Sequence, residues 1–137
     1  MSEMNLELAK KLIDNAEKEA ANIDVQMVIS IVDAGGNLIA THRMDDAWIA
    51  SLDVAQNKAW TSVALKMPTV DLAEATVPNG ELYGLNTTND GRIVVFGGGY
   101  PLEKDGKVVG AVGVSGGAVD QDMQVAQAAV KAFDESK

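Results

Sequence analysis

Ser115 is the residue best placed by its neighbours for covalent chemistry. Gly113-Val114-Ser115-Gly116-Gly117 matches G-x-S-x-G, the turn that lifts a serine hydroxyl between a strand and a helix. A serine nucleophile needs a base, and the only histidine, His42, lies far upstream, whereas the hydrolase order places it after the serine. The string therefore reads as a tight strand–helix turn, with Ser115 and Gly116 kept as ligand contacts through a hydroxyl and a bare backbone. A phosphate cradle at the same turn is disfavoured. Asp120 and Asp122 fill the first turn of the following helix and would repel an anion, and no lysine follows in the P-loop position.

A second group is His42-Arg43-Met44-Asp45, where a strand gives way to a helix. Strand ends and the loops beyond them often hold binding residues. Arg43 suits a carboxylate or phosphate because its guanidinium donates two parallel hydrogen bonds, although Asp45 or Asp46 could instead hold it as a structural pair. His42 and Met44 are both possible haem-iron ligands. At strand spacing they project the same way, so at most one could ligate one iron. Lys58 and Thr61 lie along the next helix. The simpler reading of Lys58 is a snorkelling side chain with a buried stem and a wet ammonium. Gly97, Gly98 and Gly99 would let a ligand approach bare backbone. With one histidine and no cysteine, only scattered carboxylates remain for a metal, and no metal site is expected beyond His42 as a haem ligand.

Bulk properties exclude other classes. The 137 residues suit one domain, 1–137, and 47% hydrophobic residues suffice for a core. No apolar run is long enough to span a bilayer. Met1 to Asn5 carries acid rather than a basic n-region, so no secretion signal is expected and the cytoplasm is the expected compartment. A formal charge of −9 repels nucleic-acid phosphates and anionic lipid. The expected partner is a small molecule, with neither nucleic acid nor membrane.

The elements that would position these residues follow from periodicity. Residues 5–22 read as a helix capped by Asn5, with Leu6, Ala9, Leu12, Ile13, Ala16 and Ala20 on one stripe and Glu3, Glu7 and Lys10 among those facing water. Residues 25–33 read as a buried strand, Ala34 to Asn37 as a turn, and 38–43 as the return strand. A helix over 48–66 would bury Trp48, Leu52, Ala55, Ala59 and Val63, and Pro68 stops it. A short helix over 70–75 follows, capped by Thr69, then a long irregular loop over 76–91. Residues 93–96, 100–103 and 108–114 read as strands, the last two joined by Lys104-Asp105-Gly106-Lys107. A last helix covers 121–133. Two hairpins imply antiparallel pairing, hence an α+β fold with a five-stranded sheet covered by helices.

Taken in order, several strings resemble the GlcG/HbpS-like family, which includes the C-terminal domain of the PduO adenosyltransferases. They are Ile31-Val32-Asp33-Ala34-Gly35-Gly36-Asn37-Leu38, Arg43-Met44-Asp45, Ser51 through Lys58-Ala59-Trp60-Thr61, Pro68-Thr69, Gly97-Gly98-Gly99-Tyr100-Pro101-Leu102, and Gly106 through Gly117 followed by Asp122. The resemblance implies a profilin-like α/β/α layered fold, a five-stranded antiparallel sheet with helices on both faces, and homo-oligomers from dimer to octamer. It implies haem or another tetrapyrrole, a corrinoid included, as a possible cofactor, and a place beside cobalamin-dependent diol and glycerol breakdown or glycolate use. Where the family has glycine after Arg-Met-Asp, this chain has Asp46. The reading is a small-ligand-binding protein whose site lies between subunits or under the 76–91 loop. There Arg43 and Lys58 meet beside Ser115 and the Gly97–Gly99 backbone to hold a tetrapyrrole or small carboxylate. The alternative is an enzyme moving a proton on a small hydroxy- or keto-acid, with Arg43 gripping the carboxylate and His42 or Lys58 as base.

Overall fold

A computed structural model describes residues 4–137; the expectation for Glu3 lies outside them. The chain runs α1 (Leu6–Asn22), β1 (Val28–Asp33), β2 (Leu38–Arg43), α2 (Ala50–Leu65), β3 (Gly99–Lys104), β4 (Lys107–Ser115) and α3 (Val119–Glu135). The strands form one antiparallel sheet in the order β2-β1-β4-β3.

Side-chain alternation splits the core between two faces. Ile29, Ile31, Val112 and Val114 pack with Leu12, Ile13, Ala16, Val125, Ala129 and Phe133 of α1 and α3. The intervening residues face α2: Val28 joins Ala55, while Val32 and Ala111 join Ala59. Three layers result, α2 over one face and the α1–α3 pair over the other. The residues α2 buries are small or polar: Ser51, Ala55, Lys58, Ala59, Thr61 and Ser62. Gly113 and Gly99 let the helix settle onto the sheet. A Cβ on Gly113 would stand 2.0 Å from the Ala55 carbonyl oxygen, and one on Gly99 2.5 Å from that of Lys58.

The helical and hairpin expectations hold in outline. Asn5 caps α1, its Oδ1 accepting from the Leu8 N–H at 2.8 Å. Asn5→Ala should destabilise the fold by about 1 kcal/mol, read from the urea midpoint, because it strands a helix-end donor.

Four expectations need correction. The sheet has four strands among the described residues, not five. Residues 93–96 run beside α2 instead: the Val94 N–H is donated to Thr61 Oγ1 at 3.1 Å and not to a neighbouring strand, and Arg92 Nε reaches Asn57 Oδ1 at 3.1 Å. The helix expected over 48–66 starts at Ala50, and Trp48 and Leu52 are exposed rather than on the inner face, Trp48 by 64%. The short helix over 70–75 is a single 3-10 turn, Thr69–Leu72. Its Thr69 hydroxyl does not cap that turn but accepts the Gly99 N–H at 3.0 Å, tying the turn to β3. The last helix is longer than expected, opening at Val119 with the Gln121 side chain accepting the Ala118 N–H at 2.9 Å.

Candidate functional site

The C-terminal end of β4 gathers most of the chemistry. Lys58 is fully buried, and its Nζ donates to the Val114 carbonyl at 2.8 Å and to Asp122 Oδ2 at 2.9 Å. The ammonium is therefore not wet, as snorkelling would have it. The other Asp122 oxygen accepts the Gly117 N–H at 2.9 Å. One buried ion pair thus links α2, β4, the turn after β4 and the first turn of α3. Burial pushes the Lys58 ammonium below the usual lysine range, against the pull of Asp122. Burial likewise pushes the Asp122 carboxyl up, opposed by Lys58 and by the N–H groups of Gly117 and Gly116. Both neighbours of Nζ are acceptors, the Val114 carbonyl and the Asp122 carboxylate, so the two contacts hold Lys58 in place as a donor.

Gly98 lies directly over this pair. A Cβ there would stand 2.6 Å from Lys58 Nζ, so only a bare backbone fits, and its φ of +126° suits glycine as well. The exposed Phe96 ring covers the ammonium with its centroid 5.1 Å from Nζ. Ser115 faces α2, where its hydroxyl donates to Ser51 Oγ at 3.0 Å. Thr61, further along α2, is spent on the backbone of Arg92 and Val94.

The structure thus brings Lys58, Gly97, Gly98, Gly99, Ser115 and Gly116 to one end of the sheet. It does not bring Arg43 there. Arg43 and Ser115 both pair with Val28, so β1 lies between them, a separation of about 10 Å at ordinary strand spacing. Arg43 is exposed and donates from Nη1 to the Ala47 carbonyl at 3.1 Å, not to Asp45 or Asp46.

His42 and Met44 stand on the α1 side of the sheet. His42 Nδ1 meets Glu17 Oε1 at 3.2 Å, and Met44 Sδ accepts the Met27 N–H at 3.4 Å. They border an open groove of about 510 Å³ together with Gln26, Thr41, Arg43 and Asp45. A similar depression of about 540 Å³ between α1 and α3 belongs to none of these groups. No cluster of three or more potential metal-binding side chains occurs among the described residues, and no helix there is long and apolar enough to cross a membrane.

Asp122, Phe96, Ser51 and Thr69 are the site residues the sequence reading missed. The signal for Asp122 was present. It precedes Val125, Ala126 and Ala129 by three, four and seven positions, on the buried stripe of α3, where an acid needs a partner.

Fold and site together define a small three-layer α/β/α protein with a buried lysine–aspartate pair under a glycine-rich strand end. The chain belongs to the HbpS-like family: the family model described as haem degrading protein HbpS-like matches residues 4–131. It is 47% identical over 132 residues to a 15.0 kDa protein from the dhaT–dhaS intergenic region of Citrobacter freundii, covering 96% of this chain and 93% of that one. It is 46% identical over 118 residues to the corrinoid adenosyltransferase PduO of Salmonella typhimurium, covering 86% of this chain but 35% of PduO. The crystal structure of the PduOC:heme complex matches it with a TM-score of 0.91 at 42% identity, covering 96% of this chain and 95% of that one.

Proposed function

We propose that this protein binds a small ligand, either haem or a related tetrapyrrole such as a corrinoid, or a small carboxylate. The observation that carries the tetrapyrrole reading is the likeness to the PduOC:heme complex over nearly the whole chain. We further propose a cytoplasmic homo-oligomer of one domain per chain, serving beside corrinoid-dependent diol or glycerol breakdown or glycolate use; the similarity to PduO supports the corrinoid connection.

The donor chemistry on the α1 side of the sheet fits haem. Glu17 holds His42 Nδ1, the arrangement that orients a metal-binding imidazole and leaves Nε2 for the iron. Arg43 borders the same groove at the edge strand β2, with its side chain toward the other face, and its exposed guanidinium suits a propionate that reaches that edge. Met44 is the weaker ligand because its sulfur already accepts a hydrogen bond. The groove is open on one chain, so the second wall for the macrocycle would come from another copy.

A haem titration followed at the Soret band tests this. The native chain should saturate. His42→Ala should shift the band and weaken binding at least about tenfold, while keeping its fold. Absence of a saturable change in the native chain sinks the tetrapyrrole reading. An unaltered titration in His42→Ala sinks the ligand assignment.

A further inference from the structure

We propose that Lys58 and the Gly97–Gly98 backbone form a binding site for a short-chain monocarboxylate, with the Phe96 ring as its movable cover. This locates the carboxylate arm of the reading above, on the face of the sheet opposite His42.

An ammonium has three N–H donors. At Lys58 two are spent, on the Val114 carbonyl and Asp122. The third has no hydrogen-bond acceptor; what Nζ meets instead is the ring of Phe96. Gly98 is buried over it and Gly97 is buried next along the chain, and among the described residues neither N–H has a hydrogen-bond partner. Buried backbone donors without partners are rare, so two of them next to an ammonium with an unspent donor call for an acceptor from outside the chain. Phe96 is 44% exposed, so one side of the ring lies toward the ammonium while much of the side chain meets water. Rotation of an exposed side chain is fast and needs no backbone movement.

The chemistry of the walls selects the ligand. Asp122 already neutralises the Lys58 charge, so the site offers donors rather than net positive charge. A dianion such as phosphate would be repelled by the Asp122 carboxylate, whereas a monocarboxylate offers two acceptor oxygens for one charge. Val119 and Met123 pack against Gly97 so closely that one added carbon there would meet Met123 Sδ at 2.6 Å, so a short apolar tail enters only where the flexible Met123 side chain swings aside.

The test is an NMR titration of the intact chain with sodium acetate against sodium chloride at equal ionic strength, following the Lys58 side-chain nitrogen and the Gly97 and Gly98 amides. Acetate should move these signals saturably and together, and inorganic phosphate should not. Phe96→Ala removes the competing ring and should tighten acetate binding at least about twofold, whereas Phe96→Leu, which keeps a cover without a π face, should fall between. No movement in the native chain or in Phe96→Ala overturns the proposal. So does movement shared equally with the surface lysines, or an equal response to phosphate. The titration uses no haem, so its failure leaves the tetrapyrrole arm standing, and the haem titration can fail without touching this site.

Discussion

Asp122→Ala is expected to lower the unfolding free energy by about 3–5 kcal/mol, the range for removing one partner of a buried ion pair. The side chains of Lys58 and Asp122 are 0% and 5% exposed, so water cannot replace the lost carboxylate. What remains is an ammonium with only a carbonyl and a ring for company. Lys58→Met should cost less than Asp122→Ala. The stranded carboxyl still accepts from the Gly117 and Gly116 N–H groups, whereas the ammonium stranded in Asp122→Ala keeps a single carbonyl. The double variant Lys58→Met, Asp122→Leu should recover most of the loss, because two buried charges replaced by apolar groups of similar volume are often close to neutral. Urea midpoints for the four proteins close the cycle and give the coupling directly. Strictly additive losses would mean that the two groups do not act as a pair. Recovery of stability without recovery of acetate binding would separate the structural part of Lys58 from its proposed ligand role.

Gly113→Ala is the second large effect, expected to cost about 3 kcal/mol or more, at the upper end for overpacking. The added methyl would meet the Ala55 carbonyl at 2.0 Å and the Ala59 nitrogen at 2.6 Å. Both are backbone atoms of α2, so no rotamer change relieves the clash and the helix must lift from the sheet. Lifting α2 also lengthens the Lys58–Val114 contact, so the Lys58 side-chain signal should broaden or move. Gly106→Ala is the matched control. Nothing lies within 4 Å of a Cβ there, and only its φ of +78° is unfavourable, so the loss should be about 1–2 kcal/mol with no change at Lys58. Equal losses at the two glycines would show that close helix–sheet contact is not what Gly113 provides.

How far the site was legible depends on the range of the contacts. Asp33 through Asn37 could be read as a turn because its hydrogen bonds are local: Asp33 Oδ1 accepts the N–H groups of Gly35 and Asn37. The Ile93–Phe96 run looked like a strand because β-branched and aromatic residues favour one. That propensity lost to Thr61, which captures the Val94 N–H from 33 residues away. Arg43 and Lys58 looked like partners because both are cations near strand–helix junctions. The sheet order placed β1 between Arg43 and the end of β4, a fact that no local pattern encodes.

By itself, the sequence determined the class of elements, the two hairpins, the family and the residues able to do chemistry. These rest on side-chain period, turn glycines and residue type, which act over a few positions. Tertiary structure alone decided that the described residues form a sheet of four strands, that Lys58 pairs with Asp122, and that Phe96 covers the ammonium while Arg43 stands apart. Those outcomes come from contacts between residues distant in the chain. There the need to satisfy a buried charge or N–H outweighs local preference, and only the folded chain shows which group answers it.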